Sequence, residues 1–150
     1  MIAPAPPAPP GPGPARDAPP EALAELLAIY RDLDQTLASL GVKCRACGRC
    51  CDFLRNDYRL YASHIERAIV LARAGRPALA PSGECGFLSG GRCSAHAWRP
   101  LGCRVFFCAP EHKAREQDLC HAFQQRIRAA TERHGLPWDY RPFFEPSQAE

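Results

Sequence analysis

Nine cysteines in 150 residues dominate the chemistry this chain could do. The first group reads Cys44-Arg-Ala-Cys47-Gly-Arg-Cys50-Cys51. Cys-x2-Cys spacing lets two thiolates reach one metal while the residues between them turn the backbone, and Gly48 relieves the sterics of that turn. Adjacent side chains diverge, so Cys50 and Cys51 are expected to serve different metals or different faces of one cluster. The second group supplies Cys85, Cys93, Cys103 and Cys108, in ECGFLSGGRC and RPLGCRVFFC. Four plus four suggests two four-thiolate sites, or one cluster with additional ligands. Cys120 is then spare, and on a helix face it reads as a buried small hydrophobe.

Three cysteines at successive x2 spacing follow the start of the bacterial ferredoxin run, whose loop encloses one face of an iron–sulfur cluster. Separated cysteine pairs on loops serve structural zinc equally well. The expected cofactor is therefore an iron–sulfur cluster or iron, with zinc as the alternative. Lys43, Arg45, Arg49, Arg92, Arg99 and Arg104 crowd these cysteines. A metal held by four thiolates keeps negative charge, which nearby guanidinium groups offset while favouring the thiolate. That accounts for the basic residues without nucleic acid, and a net charge of only +3 agrees. His96, three residues after Cys93, is a further candidate ligand. His64, His112, His121 and His134 read as helix-surface residues. Asp52 and Glu84 adjoin the clusters without acid–base spacing, and the chain has no GxGxxG, P-loop, HExxH or GxSxG.

Leu, Ile, Val and Phe make up only 29 of the 150 residues, so the apolar core must be thin. With 23 % charged residues, self-repulsion is not what sets that composition. A metal that binds only the folded state would add its binding free energy to folding. Met1 to Pro20 holds 9 of the 16 prolines and lacks the apolar run of roughly 7–15 residues that an export signal needs. The longest strongly apolar stretch, Ala68 to Ala72, is far short of the ~20 residues that span a bilayer. A soluble, cytoplasmic protein is expected, where clustered cysteines ligate metal or do redox chemistry rather than form structural disulfides.

The elements that must position these thiols are helices. Residues 1–20 read as a disordered Pro/Ala-rich tail, with Pro4, Pro7 and Pro10 in PxxP spacing, and residues 21–150 as one cysteine-cluster metal-binding domain. Leu23, Leu26, Leu27, Tyr30, Leu33, Leu37 and Leu40 recur at three- and four-residue spacing, predicting an amphipathic helix that Asp17 or Pro19-Pro20 starts and Gly41 ends. A second helix is predicted over Ser63 to Ala74, with Ser63 and Glu66 in capping-box register and Gly75 as the stop. A third runs from about Glu111 to His134, with Leu119, Phe123, Ile127 and Ala130 as its apolar face and Gly135 and Pro137 beyond it. The stretches Cys44 to Cys51 and Cys85 to Cys108 read as loops. Trp138, Tyr140, Phe143 and Phe144 form an aromatic segment expected to pack on the core. The expected fold is mainly α: a small, loop-rich, metal-stabilised domain of about three helices with little or no sheet.

Over Lys43 to Pro110 the order CRACGRCC, ECGFL, RC and RPLGCRVF resembles the YkgJ-like cysteine-cluster family, the CxxCxxCC zinc- or iron-chelating domain. The matching positions are Cys44, Cys47, Cys50, Cys51, Cys85, Cys93 and Cys103, framed by Arg99-Pro100 and Arg104, and some relatives carry a further cysteine where Cys108 stands. Where the family usually has an Ile-Tyr pair after the cysteine matching Cys93, this chain has Ala95-His96. The resemblance implies metal or iron–sulfur binding in a cytoplasmic bacterial setting without naming a reaction. A related cysteine-rich segment occurs in flagellin lysine methylases, whose catalytic context this chain does not display. Three readings follow: a metal or cluster protein with an electron-transfer or redox role and a redox or protein partner; a cluster-dependent oxidoreductase or accessory to protein modification; and a zinc-stabilised interaction module.

Overall fold

A computed structural model describes residues 18–42, 51–53, 59–105 and 113–144. The tail expected over residues 1–20 falls outside them up to residue 17. Helix α1, Pro20–Ser39, begins where Pro19 takes an extended conformation and Pro20 occupies the first helical position, whose N–H would be unpaired anyway. Glu21 in the first turn complements the positive end of the helix dipole. The helix stops as predicted at Gly41, whose φ of 76° allows the left-handed turn. There the Val42 N–H returns to the Leu37 carbonyl at 2.9 Å and the Gly41 N–H to that of Ala38 at 3.1 Å. The buried stripe of α1 is Ala22, Leu26, Ile29, Tyr30, Leu33 and Leu37, with Leu23 and Leu27 flanking it.

Helix α2, His64–Arg73, carries the predicted capping box, and the Ser63 N–H donates to Glu66 Oε2 at 2.9 Å. After a four-residue helix α3, Leu101–Arg104, the long helix α4 is described over Lys113–Arg133. Glu111 and His112, placed by sequence at the start of α4, lie outside the described residues. Helix α4 packs on α1 and runs antiparallel to it. Glu25 pairs with Arg133 and with His134 (2.8 Å), and further along Asp32 meets Arg126 at 2.7 Å. His134 is thus in hydrogen-bond contact with Glu25 of α1. Ile65, Ile69 and Val70 of α2 and Phe123, Ile127 and Ala130 of α4 close the core against the α1 stripe.

Among the described residues, two small antiparallel pairs accompany the helices, in keeping with a mainly α domain that has little sheet. Strand β1 (Tyr61–Ala62) pairs with β4 (Arg141–Pro142), and β2 (Leu88–Ser89) with β3 (Arg92–Cys93). The expected packing of the aromatic segment holds for Phe143 and Phe144, which are buried, with Phe144 edge-on to Phe53 at 5.1 Å. Trp138 is partly buried against the same core and stacks on Tyr140, which in turn stacks on the exposed Tyr61. Among the described residues, no helix is long and apolar enough to cross a membrane.

The second cysteine stretch is more ordered than the loop its composition predicts. Gly90 and Gly91, at φ of 58° and 78°, form the two-residue turn of the β2–β3 hairpin, a conformation that requires left-handed residues at both positions. A 3-10 turn, His96–Trp98, and then α3 follow. Pro100 sits before α3 in the extended conformation that suits a helix start, but four residues are too few to show a helical period in sequence.

Candidate metal centre

Cys51 and Cys85 are set side by side by main-chain hydrogen bonds. The Cys85 N–H donates to the Cys51 carbonyl at 2.8 Å and the Phe53 N–H to that of Gly83 at 3.2 Å, with Asp52 bridged to Glu84 between them. On its other side residue 85 bridges to Leu79, and the Gly86 N–H reaches the Ala78 carbonyl at 2.7 Å. Glycine is required here, because a Cβ on residue 86 would lie 2.7 Å from that same carbonyl oxygen. The hairpin then folds Cys93 back opposite Leu88, three residues beyond Cys85.

The surroundings of Cys93 favour negative charge on its sulfur, and Cys85 faces a backbone donor. The Phe87 N–H points at Cys85 Sγ from 3.4 Å. Cys93 is hydrogen-bonded to the Cys51 side chain, and this is the largest cause of its depressed pKa. Partial burial opposes the shift, while the Ala95 N–H and the Arg99 charge add to it, bringing the thiol down to about 6. Cys51 and Cys85 are buried within the apolar core cluster itself. A low-dielectric surround of this kind strengthens every charge interaction at the site.

Arg99 links this group to Cys103. Its charge acts on Cys93, its Nη1 donates to the Cys103 carbonyl at 3.5 Å, and its Nε is held by the His96 carbonyl at 2.8 Å. Cys103 lies on α3, near enough to Tyr30 for its charge to act on the phenol. The pKa of that phenol is raised well above 10, first by burial and then by Glu66, with Cys103 adding to the rise. His96 is partly buried, and its pKa is lowered by burial and by the charges of Arg99 and Arg104, against Asp34. The neutral imidazole so favoured is the form able to ligate.

Arg104 has a structural part that its position in sequence did not show. It stacks over the Tyr30 ring at 3.9 Å and meets both Asp34 oxygens at 3.1 Å. It also donates to the Arg99 and Ala97 carbonyls, each at 2.7 Å. The reason is geometric: five donors on a planar fork can satisfy the carbonyls of the short 3-10 turn and a carboxylate together. Arg92 is exposed on β3. Cys120, on α4, has its thiol pushed up by burial and by the charges of Glu66 and Glu116, the reverse of Cys93.

Of the candidate ligands, the structure pairs the Cys51 and Cys93 side chains, sets Cys85 beside Cys51 through the main chain, and places Cys103 beyond Arg99. Cys44, Cys47, Cys50 and Cys108 lie outside the described residues, as do Lys43, Arg45 and Arg49. Among the described residues alone, no group of three or more His, Cys, Asp or Glu side chains is arranged to hold a metal ion. The donor chemistry nonetheless fits one: paired thiols, with that of Cys93 lowered in pKa, are soft ligands of the kind that select zinc and iron–sulfur clusters. Sequence reasoning passed over Tyr30, Asp34 and the burial of Glu66. The last was visible only as a carboxylate at a capping position within the apolar run of α2.

Among curated proteins and among solved structures, nothing matches the chain. The CxxCxxCC family pattern, described as a putative zinc- or iron-chelating domain, matches residues 43–134. That span is well over half of the sequence. It contains the cysteine pairing, the Arg99 bridge and most of the helical frame, and the chain therefore belongs to the CxxCxxCC family of metal-chelating domains.

Proposed function

We propose that this protein holds an iron–sulfur cluster or iron through Cys44, Cys47, Cys50, Cys51, Cys85, Cys93, Cys103 and Cys108, with a redox or electron-transfer role and a protein partner. The supporting observation is the Cys51–Cys93 side-chain hydrogen bond, which sits beside Cys85 and lowers the Cys93 thiol to about 6. A thiol so poised gives up its proton readily to a metal near neutral pH. The ferredoxin-like spacing of Cys44, Cys47 and Cys50 favours iron–sulfur over zinc. A thiol-rich centre of this kind belongs in a reducing compartment, the cytosol.

In this reading the chain's own groups do three things. The thiolates bind the metal, and the bound group supplies electron-transfer chemistry. The Phe87 and Ala95 N–H groups stabilise sulfur charge, as hydrogen bonds to sulfur do in tuning such centres. Arg99 offsets the charge that remains. The test is metal analysis with visible absorption on protein purified without air, followed by chelation. Iron with acid-labile sulfide, broad visible absorption and a melting temperature that falls by more than about 10 °C on metal removal is the expected result. Stoichiometric zinc in a colourless protein would overturn the redox role and leave a zinc-stabilised module, because zinc has no accessible second oxidation state.

A further inference from the structure

Glu66 is 2 % exposed and its carboxylate accepts four hydrogen bonds. Oε1 takes the Tyr30 hydroxyl at 3.1 Å and the Leu101 N–H at 2.7 Å, while Oε2 takes the Ser63 N–H at 2.9 Å and the Ser63 hydroxyl at 2.8 Å. One side chain thus ties α1, the start of α2 and the first residue of α3. Charge burial is costly, and an apolar side chain of similar volume often serves stability as well or better. What four converging donors add is a single fixed geometry. That geometry bears on the thiols because α3 is held at both ends. Leu101 is bonded to Glu66, and Arg104 is stacked on the ring of the same tyrosine that donates to Glu66. Cys103 lies between the two anchors. Arg104 also grips the Ala97 and Arg99 carbonyls, so the Arg99 backbone is fixed by the same assembly.

We infer that Glu66 is a positioning residue for the metal centre: through the Leu101 N–H and Tyr30 it sets the Cys103 and Arg99 segment against Cys51 and Cys93, and so governs how tightly metal is held. This rests on the metal-binding reading above. Partners that orient metal ligands in this indirect way are typically worth about 10–100-fold in metal affinity.

The experiment uses the full chain loaded anaerobically with cobalt(II), a coloured stand-in for zinc or ferrous iron. Metal release to an excess of chelator and the thiolate-to-cobalt absorption are recorded well below the melting temperature. Glu66→Leu is expected to release cobalt about tenfold faster with an altered absorption spectrum. Glu66→Gln, whose amide oxygen still accepts from Leu101, should recover most of the difference. Tyr30→Phe, which keeps the ring under Arg104, should fall between them, and it decides the matter if Glu66→Leu does not fold. Ile127→Val, a core change outside the Glu66, Tyr30, Leu101 and Arg104 assembly, serves as control and should leave release and spectrum unchanged. Wild-type release and spectrum in the Glu66 and Tyr30 variants, or equal acceleration in Ile127→Val, would overturn the proposal while leaving metal binding intact. A wild-type chain that takes up neither cobalt, zinc nor iron would overturn the metal reading and this inference together.

Discussion

Cys93 and Cys120 are both partly buried thiols, yet their surroundings drive them in opposite directions. Cys93 faces the Cys51 side chain, a backbone N–H and Arg99, whereas Cys120 faces burial and the charges of Glu66 and Glu116. Cys93→Ser should lose most of the bound metal, since a serine hydroxyl supplies no thiolate. Cys120→Ser should keep full metal content, with stability changed by no more than about 1 kcal/mol. Metal analysis and melting curves on the two variants side by side check this contrast, and metal loss in Cys120→Ser would make that residue a ligand. Sequence spacing separated these two residues because Cys120 stands alone on a helix. It carried no information about which thiols meet, since Cys85 reaches Cys51 through long-range main-chain pairing and Cys93 reaches it through a side-chain hydrogen bond.

At the scale of elements, the second cysteine stretch depends on close backbone approaches more than on side-chain packing. Gly86→Ala would press a methyl group into the Ala78 carbonyl and push Cys85 away from Cys51. A stability loss on the order of 1–3 kcal/mol is expected, accompanied by reduced metal content. Unchanged melting and full metal loading would show that the Ala78–Gly86 contact does not matter. The three long helices were legible because each combines a helical apolar period with an explicit stop at Gly41, Gly75 or Gly135. The Gly90-Gly91 turn was a hairpin signal in plain view, flanked by residues short of the alternation that announces strands. Helix α3 was not legible, because a single turn cannot repeat the pattern and its ends are held by contacts to Glu66 and Tyr30 of other helices. A glutamate in an amphipathic helix reads as solvent-facing by default, and only the tertiary placement of Tyr30 and Leu101 reveals otherwise.

At the scale of the molecule, the apolar core is continuous with the thiol region. It runs from the α1 stripe through Phe53 and Phe87 to Cys51 and Cys85. The C-terminal segment is tied to this core through Arg67, which donates to the Asp139 carbonyl at 2.9 Å and to its side chain at 3.0 Å. Burial alone would raise the Asp139 pKa, but the hydrogen bonds and charges of Arg67 and Arg141 outweigh it and hold the carboxyl below its ordinary value of 3.8. A lowered folded-state pKa contributes stability that is present above the unfolded value and is lost as pH falls through the folded one. Asp139→Asn should therefore melt lower than wild type by on the order of 1 kcal/mol above about pH 5, with the gap closing below about pH 4. A gap that persists in acid would mean that the charge is not what ties the segment down.

The edge-on contact of Phe144 with Phe53, two residues from Cys51, bears on the order in which the protein is built. Cys51 and Phe53 are synthesised well before Phe144, which follows α4 in the chain. Phe53 therefore gains this ring contact only after α4 has been made, so the apolar surroundings beside Cys51 are completed late in synthesis.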